Sequence, residues 1–369
     1  MLALLLSAAA SAAAHDDPSK TYNYLAIGDW GNDSPGQYAA AAGMGTVAAE
    51  IKATQVFALG DNFYHSNKSG CSTGSGICNG GADGPDGEKR FKTTFEDVYT
   101  AASLQHIPFY AIAGNHDHGG NVSAQIAYAK RTDRPTNRWV YDGWYYNVTQ
   151  HLAVPGAKKT VELETLLFDS VIGLGNSDVW LEDGTLVELN GDELPGPDDP
   201  PTAAAMFEWL EKRMAASTAD YLWVGAHYPV WSIASHGPTA GLVEKLRPLL
   251  DKYEAHFFCG HDHDLEHIKE TGSKVNYVVT GSGMSCCYPD GNLDKVPKGS
   301  VKFAMVGAQG SQYEKMPFDG MMSGFTSYRI GPESMAVHYH AHNGTELYVT
   351  PPIMPRTKKV QPPIAPPQL

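Results

Sequence analysis

The sequence lacks the basic character of proteins that bind nucleic acids or anionic membrane surfaces. It holds 27 Lys and Arg residues against 41 Asp and Glu residues, which gives a net charge of −14. Basic patches supply most of the affinity for both kinds of surface, so neither is an expected partner. An anionic substrate would have to be attracted by a local positive centre, such as a metal cluster, because the overall field repels it.

Long hydrophobic runs are also missing from the sequence. The apolar run at positions 2–10 is too short to span a bilayer, and small residues at 12–14 follow it in the form of a signal-peptidase site. We therefore predict a signal peptide over residues 1–14 and a protein that is secreted or delivered to an acidic organelle (lysosome or vacuole), with no membrane span. Five glycosylation sequons agree with this route. They begin at Asn32, Asn67, Asn121, Asn147 and Asn343, and only Asn32 lies too near the candidate site below for a glycan to be expected.

Cysteines are few, five in all. Cys71 and Cys78 enclose a loop rich in glycine and serine, where a short disulfide is expected in an oxidising compartment. Cys259 lies in an apolar run and is predicted to be a buried thiol. Cys286 and Cys287 are adjacent, and the sequence leaves open whether they pair with each other or elsewhere.

Short apolar runs that end in polar clusters dominate the pattern. They cover 22–32, 55–64, 108–118, 221–229, 255–263 and 275–283, and a further buried strand is predicted at 164–171. Apolar residues at helical spacing predict helices over 37–53, 203–216 and 241–252. Strands that are hydrophobic throughout and alternate with helices predict an α/β fold in which helices cover the sheet.

The segments between these elements are polar or rich in proline and glycine. Residues 65–90 are predicted to form a long surface loop, and residues 176–201 an acidic loop in solvent. The proline-rich residues 351–369 are predicted to be a disordered tail. No domain boundary is evident, so residues 22–345 are expected to form a single domain, and the oligomeric state stays open.

Side chains suited to metal binding follow the apolar runs. These side chains are Asp29, Asp61, Asn115 with His116, His227, and His261 with His263. One such ending alone would be ordinary turn chemistry. Five in order predict a shared site, because strand ends on one side of an α/β sheet converge on one crevice. Carboxylate, amide and imidazole groups are ligands for Fe, Mn or Zn, and paired ions bind both the attacking and the leaving oxygen of a phosphoryl group.

The segments GDWG, GDNFY, GNHDH, HYPVWSIASHGP and CGHDH resemble, in order, the blocks of the metallophosphoesterase (calcineurin-like) superfamily. They are most similar to its small purple (tartrate-resistant) acid phosphatase branch, over residues 22–345. Tyr64, three residues after Asp61, matches the tyrosine that distinguishes this branch. The resemblance implies a four-layer α-β-β-α sandwich with a metal site at the carboxyl ends of the strands.

By position, the resemblance implies two metal ions per chain. The implied ligands are Asp29, Tyr64 and His263 for Fe(III), Asp61 as a bridge, and Asn115, His227 and His261 for a divalent Fe, Zn or Mn ion. His116 and His236 would face the substrate phosphate and assist the leaving alkoxide. The implied activity is that of an acid phosphatase: a metal-activated hydroxide would attack phosphorus in line in phosphate monoesters, either small molecules or phosphoproteins.

Several neighbouring residues are expected to have lesser roles. Asp262 is expected to point away from the histidines beside it and to support its turn, while Asp117 and His118 would lie behind the site or in solvent. His338, His340 and His342 alternate along one strand and are expected to face solvent.

The resemblance leaves some points open. Segment 176–201 has a second interpretation as a lid, since purple acid phosphatases can carry a restraining loop there. Cysteines that mammalian members place near Leu174 and Gly241 are missing here, so their disulfide is not expected. Two other functions compete: a phosphodiesterase or nucleotide pyrophosphatase, which usually lacks Tyr64 and His236, and a non-catalytic metal-binding protein. A redox role could coexist with hydrolysis.

Overall fold

The structure is a computed structural model that describes residues 21–64, 77, 89–180, 185–307, 320 and 322–357. Its strands are β1 (Tyr22–Ile27), β2 (Val56–Leu59), β3 (Phe109–Ile112), β4 (Trp139–Val140), β5 (Tyr145–Leu152), β6 (Val161–Phe168), β7 (Asp178–Trp180), β8 (Leu186–Glu188), β9 (Tyr221–Gly225), β10 (His256–Cys259), β11 (Leu265–Ile268), β12 (Tyr277–Thr280), β13 (Val301–Met305), β14 (Gly324–Ile330), β15 (Met335–Ala341) and β16 (Glu346–Val349). Its helices are α1 (Pro35–Ile51), α2 (Asn115–His118), α3 (Val122–Lys130), α4 (Ser170–Leu174), α5 (Pro200–Ala216), α6 (Ala240–Lys245) and α7 (Arg247–Tyr253), with a π-helical turn at Phe91–Glu96 and a 3-10 turn at Leu293–Lys295.

Two seven-stranded sheets and one small hairpin contain these strands. Sheet A has the order β16-β15-β14-β1-β2-β3-β4, sheet B has the order β13-β11-β12-β10-β9-β6-β5, and β7 pairs with β8. Strands β1, β2 and β3 run parallel to one another, as do β6, β9, β10 and β12. The carboxyl ends of each parallel group therefore lie at one edge of its sheet.

An aromatic layer joins the two sheets. Tyr328 of sheet A stacks on Tyr24 at 4.5 Å between ring centroids and meets Trp223 of sheet B edge-on at 5.3 Å. Phe57 and Phe258 make a similar edge-on contact across the sheets at 5.4 Å. Burying large aromatic surfaces supplies much of the apolar free energy of folding, and edge-on geometry suits their quadrupoles. Sheet therefore packs on sheet in the centre of the molecule.

Helices cover the outer faces. Met44, Val47 and Ile51 of α1 belong to the core cluster built on sheet A, whereas α5, α6 and α7 contribute to the cluster on sheet B. Both long helices begin in the way their sequences favour: Ser34 and Asp199 accept hydrogen bonds from the first turn, and a proline follows each of them. The four-layer α-β-β-α prediction is confirmed.

The predicted helix over 241–252 is two helices, α6 and α7. They meet at Leu246, just ahead of Arg247-Pro248. Proline has no amide hydrogen to donate, so the backbone hydrogen bonds of a single helix cannot continue through Pro248. The other predicted helices are present within a few residues of their expected bounds.

The prediction that His338 and His340 face solvent is wrong. Both are buried, because β15 lies inside sheet A between β14 and β16 and is covered on both faces. Each has a polar partner there: His338 Nδ1 lies 2.7 Å from Glu346 Oε2, and His340 Nε2 lies 2.8 Å from Ser327 Oγ. His342, beyond the strand, is half-buried.

The predicted tail is wrong in its first part. Ile353 pairs with Met335 and is buried, and Arg356 is buried while its amide donates to the carbonyl of Asp220. An extended proline-rich segment has free carbonyls and side chains, so it can lie along a folded surface without forming an element of its own. Residues 1–14, Asn67, Cys71, Cys78 and the tail from residue 358 lie outside the described residues.

Leu174 and Gly241, near which the resemblance implied cysteines in mammalian members, lie side by side. A Cβ on Gly241 would lie 2.5 Å from Leu174 Cδ2, so the leucine fills the space beside the glycine. Cys259 is a buried free thiol, as predicted, and Cys286 is disulfide-bonded to Cys287. Among the described residues, no helix is both long enough and apolar enough to cross a membrane.

Candidate metal centre

Residues just beyond the strands form the floor of one crevice. Asp29, Asp61 and His261 follow β1, β2 and β10, and all three have left-handed backbone, with φ of 57°, 51° and 74°. Residues other than glycine rarely adopt this backbone conformation, and such residues cluster at functional sites. The sharp turn after each of these strands therefore lies largely at Asp29, Asp61 or His261 itself.

The glycines beside these residues allow close approach. A Cβ on Gly260 would lie 2.4 Å from Asp29 Oδ2, and one on Gly114 would lie 2.2 Å from Asp61 Oδ1. Any larger residue would displace a carboxylate. Of the residues just before Asp29, Asp61 and His261, only Gly60 has a positive φ, of 91°.

One group of predicted residues consists of Asp29, Tyr64 and His263. The phenol oxygen of Tyr64 lies 3.1 Å from Asp29 Oδ1 and 3.0 Å from His263 Nε2, and these last two atoms are 3.5 Å apart. All three side chains are buried. The other ring nitrogen of His263 lies 2.8 Å from Ser285 Oγ, which fixes the ring orientation.

A second group consists of Asp61, Asn115 and His227. His227 Nε2 lies 2.8 Å from Asn115 Oδ1 and 3.5 Å from Asp61 Oδ1. His227 Nδ1 is 2.9 Å from the carbonyl oxygen of Leu59, which can only accept, so this nitrogen carries a hydrogen. In the neutral ring, Nε2 then presents a lone pair to the lone pairs of Asn115 Oδ1. Such a contact is repulsive unless a cation or a proton lies between the two atoms.

The two groups lie side by side. Asp29 Oδ2 accepts from the amide of His261 at 2.7 Å, and Asp61 Oδ1 accepts from the amide of His116 at 3.0 Å. Ligand atoms of Asp29, Asp61 and His227 all lie within 4.8 Å of one another. The His261 ring lies 5.0 Å from that of His227. The seven predicted ligands and His116 thus surround one crevice.

Burial controls the ionisation of these groups. It raises the pKa of Asp29 well above its usual range, and for Asp61 the positive charge that His227 and His116 carry when protonated outweighs it, so that pKa is lowered. Burial also raises the pKa of Tyr64, and the charge of Asp29 adds to the shift. It lowers the pKa of His263 to about 4, and that of His261 falls well below its usual value. Neutral imidazoles beside buried carboxyl groups are a donor set that fits cations.

The two histidines predicted to face the substrate are each held by carboxylates. His116 Nδ1 lies 3.2 Å from Asp178 Oδ2, and its Nε2 lies 3.9 Å from Asp61 Oδ2. Burial lowers the pKa of His116, but these carboxylates outweigh it and the pKa is raised. The arrangement favours a protonated ring at the mouth of the crevice.

His236 lies between two acids. Its Nδ1 is 2.9 Å from Asp262 Oδ1, its Nε2 is 3.1 Å from Glu188 Oε1, and its ring stacks on His261 at 4.2 Å. Burial lowers the pKa of this ring, but the hydrogen bonds to Asp262 and Glu188 outweigh it and raise the pKa to about 10.

Comparison with known proteins identifies the family. Residues 22–265 match the calcineurin-like phosphoesterases, about two thirds of the chain. This chain is a calcineurin-like phosphoesterase. Among its relatives, the tartrate-resistant acid phosphatase type 5 of Rattus norvegicus is 35% identical over 340 residues, covering 90% of each chain. The Homo sapiens protein of that name is 34% identical, covering 94% of this chain and 95% of its own.

More distant proteins share the fold. Purple acid phosphatase 3 of Arabidopsis thaliana is 28% identical, covering 78% of this chain and 70% of its own. A solved structure described as GAP50, the anchor in the inner membrane complex of Plasmodium, matches with a TM-score of 0.68 at 19% identity, covering 92% of this chain and 90% of its own. That likeness shows the fold alone. The chain is therefore a phosphoesterase hydrolase whose relatives include acid phosphatases.

Within this phosphoesterase, Asp262 points away from the histidines beside it as expected, but its carboxylate binds His236 instead of supporting its own turn. Its Oδ1 accepts hydrogen bonds from both the amide and the ring of His236 at 2.9 Å. Asp262 therefore points toward the loop that carries His236. Asp117 is buried and accepts from the amides of Asn62 and Gly114, behind the site as expected.

Two residues of the phosphoesterase site were not predicted. Asp178 and Glu188, on strands β7 and β8, reach His116 and His236. Asp178 Oδ1 also accepts a hydrogen bond of 2.9 Å from Asn115 Nδ2, which turns the amide oxygen toward His227. The interpretation of segment 176–201 as a loop in solvent is wrong at Asp178, whose side chain is buried, whereas Glu188 contacts His236 but stays partly exposed. The acidic composition of the segment was the signal, and the lid interpretation agrees with their position.

Proposed function

We propose that this phosphoesterase is an acid phosphatase that hydrolyses phosphate monoesters at a pair of metal ions, Fe(III) and a divalent ion. The observation that carries the proposal is the contact of 2.8 Å between His227 Nε2 and Asn115 Oδ1. Both atoms are acceptors when the ring is neutral, so the geometry suits a shared cation. A sequence match to acid phosphatases over nearly the whole chain supports the reaction class.

The proposed division of ligands follows the two groups of contacts. Asp29, Tyr64 and His263 would bind one ion, Asn115, His227 and His261 the other, and Asp61 would bind both. Burial, and after it the charge of Asp29, raise the pKa of Tyr64, so binding this phenol in its ionised form would need a strongly polarising cation such as Fe(III). When bound, the ions would neutralise phosphate charge and supply a nucleophile from water at low pH.

His116 and His236 would act on the substrate itself. Both are positioned by carboxylates and have raised pKa values, so each can donate a hydrogen bond to a phosphate oxygen in acid. Asp262 holds His236 Nδ1, which leaves Nε2 to face the crevice, where Glu188 now accepts from it. A substrate phosphate would compete with Glu188, and the protonated ring would then pass a proton to the leaving oxygen.

We also propose that the protein is secreted after removal of residues 1–14. The disulfide between Cys286 and Cys287 supports an oxidising compartment, because such bonds are rare in the cytosol. The N-terminal sequence of the protein recovered from the medium of the producing cell tests this. A mature chain that begins at Met1 would contradict it.

The proposed function is tested by metal analysis and a visible spectrum of the purified protein. We expect two metal ions per chain, a broad tyrosinate-to-iron band, and faster turnover of phosphate monoesters than of diesters. Tyr64→Phe should abolish the band. Tyr288→Phe is the matched control, because it removes a neighbouring phenol hydroxyl but keeps the ring that stacks on His263, and it should keep the band. An iron-free, colourless enzyme with full activity would contradict the ferric assignment.

A further inference from the structure

The segment of residues 285–288 contacts His263 on two sides. Ser285 Oγ lies 2.8 Å from Nδ1 of the ring, and the Tyr288 ring stacks on its face at 4.5 Å with an interplanar angle of 10°. Tyr288 also meets the His236 ring edge-on at 5.5 Å. Segment 285–288 therefore sets the orientation of one candidate ligand and one candidate proton donor.

A disulfide lies between these two contact residues. Cys286 and Cys287 are bonded to each other and half-buried, and they connect Ser285 directly to Tyr288. The segment follows β12 and belongs to no helix or strand. Its carbonyls pack closely against the chain after β13: Gly307 donates to Tyr288 at 3.1 Å, and a Cβ on Gly307 would lie 2.3 Å from the Cys287 oxygen.

We propose that the Cys286–Cys287 disulfide is a positioning element of the metal centre, which holds Ser285 and Tyr288 on His263 and makes metal affinity depend on its oxidation state. A bond between adjacent residues removes rotations of the backbone that joins the two contacts. Once it is cleaved, the segment can leave the ring, and His263 loses the partner of its second nitrogen. Loss of such a partner typically lowers metal affinity by about 10- to 100-fold.

The chemistry of the switch is thiol–disulfide exchange with a dithiol. A thiolate attacks one sulfur of the pair, the S–S bond breaks, and a mixed disulfide forms. The second thiol of the reductant then displaces the protein sulfur. Two electrons and two protons pass to the protein, which gains two thiols, and the dithiol becomes a cyclic disulfide. Both cysteines are half-buried, which leaves them accessible to this attack, whereas Cys259 is buried and already a free thiol.

The inference rests on the proposed metal site. We test it with zinc, because Zn²⁺ is not reduced by thiols, and the result is then independent of any reduction of iron. The zinc-loaded protein is treated with a dithiol, freed of it by anaerobic desalting, and equilibrated with a chromophoric chelator. We expect the reduced protein to hold one of its two zinc ions about 10- to 100-fold more weakly than the oxidised protein, and reoxidation to restore it.

Two double variants assign the effect to this disulfide. Cys286→Ser/Cys287→Ser should bind zinc as weakly as the reduced protein, and treatment with the dithiol should not change its affinity. Because this variant has no thiols at these positions, they cannot bind zinc themselves. Cys71→Ser/Cys78→Ser is the control and should respond as the unaltered protein does. Mass spectrometry of an unreduced digest should find Cys286 and Cys287 bonded to each other.

Equal zinc affinity of the oxidised and reduced proteins would overturn the inference while leaving the metal site intact. A digest that joins either cysteine to another position would overturn it as well. An oxidised protein that binds no zinc at all would instead overturn the proposed function, and this inference with it.

Discussion

The crevice has two walls that carry the same kind of side chain in different settings. The strand-end wall contributes Asp29 and Asp61, which are buried and make contacts with other candidate ligands. The hairpin wall, β7 and β8, contributes Asp178 and Glu188, with side chains 5% and 38% exposed. The strand-end acids face a candidate cation position, whereas the hairpin acids face the histidines proposed to bind phosphate.

The comparison shows how position decides what a carboxylate does. On the strand-end wall the backbone is fixed by parallel strands, and an acid there is positioned to bind cations. On the hairpin wall an acid occupies the place that a substrate anion would take, and a two-stranded hairpin is only marginally stable by itself. The first wall is therefore expected to support binding and turnover, and the second to restrain them.

Replacing an acid of the strand-end wall should have the largest effect. Asp61→Asn keeps the shape but removes the charge proposed to bind both ions. Loss of metal stabilisation worth several kcal/mol corresponds to a fall in kcat of about three orders of magnitude. Metal analysis should find fewer than two ions per chain. Asp142→Asn, an exposed acid, is the control and should leave both quantities unchanged. Near-normal turnover in Asp61→Asn would remove the proposed distinction between the walls.

Replacing Asp262 tests the hydrogen bond that holds His236, behind the strand-end wall. Asp262→Asn weakens the acceptor that holds His236, and we expect kcat to fall by about 100-fold, within the range for general acid–base catalysis. The pKa of His236 should also fall from about 10, as NMR of the ring would show. If Asp262 acts through His236, the double variant with His236→Ala should be no worse than His236→Ala alone. Additive losses would place Asp262 in a separate role.

The sequence predicts the residues of the strand-end wall but not those of the hairpin wall. Asp29, Asp61 and His261 follow continuous apolar runs, and parallel strands bring such ends together whatever their separation along the chain. Asp178 and Glu188 lie on strands of three residues each, in an acidic stretch whose pattern is also that of a loop in solvent. Their inward direction depends on tertiary packing, which local composition does not encode.

The same limit explains the other differences. His338 and His340 alternate with apolar residues, as in a strand with one wet face, yet β15 lies inside sheet A and both faces are covered. Of the antiparallel strands that flank the parallel strands of both sheets, only β15 was expected, because short or mixed runs do not distinguish a sheet edge from a loop. Asp262 was placed correctly relative to its neighbours, but its partner comes from a loop 26 residues away.

Replacing an acid of the hairpin wall should have the smallest effect and the opposite sign. Glu188→Gln removes a charge that repels the substrate phosphate and competes for His236 Nε2, so we expect kcat/KM for a phosphate monoester to rise several-fold. Glu193→Gln, an exposed acid in the loop that follows β8, is the matched control and should change nothing. A fall in kcat/KM for Glu188→Gln would show that the hairpin assists turnover.

The pH dependence of that gain follows from the directions of the two pKa shifts. Burial raises the pKa of Glu188, but the hydrogen bond and charge of His236 outweigh it, so the folded pKa lies below the usual value. The carboxylate then stays charged above about pH 4, and the gain from Glu188→Gln should vanish as the pH falls through the folded pKa. His236 has a raised pKa, so its share of the ion-pair stability is complete below about pH 6.5 and is lost as the pH rises through about 10. Rate profiles of both proteins from pH 3 to 7 measure the first effect, and a constant ratio of kcat/KM across that range would show that the charge of Glu188 is not what restrains the site.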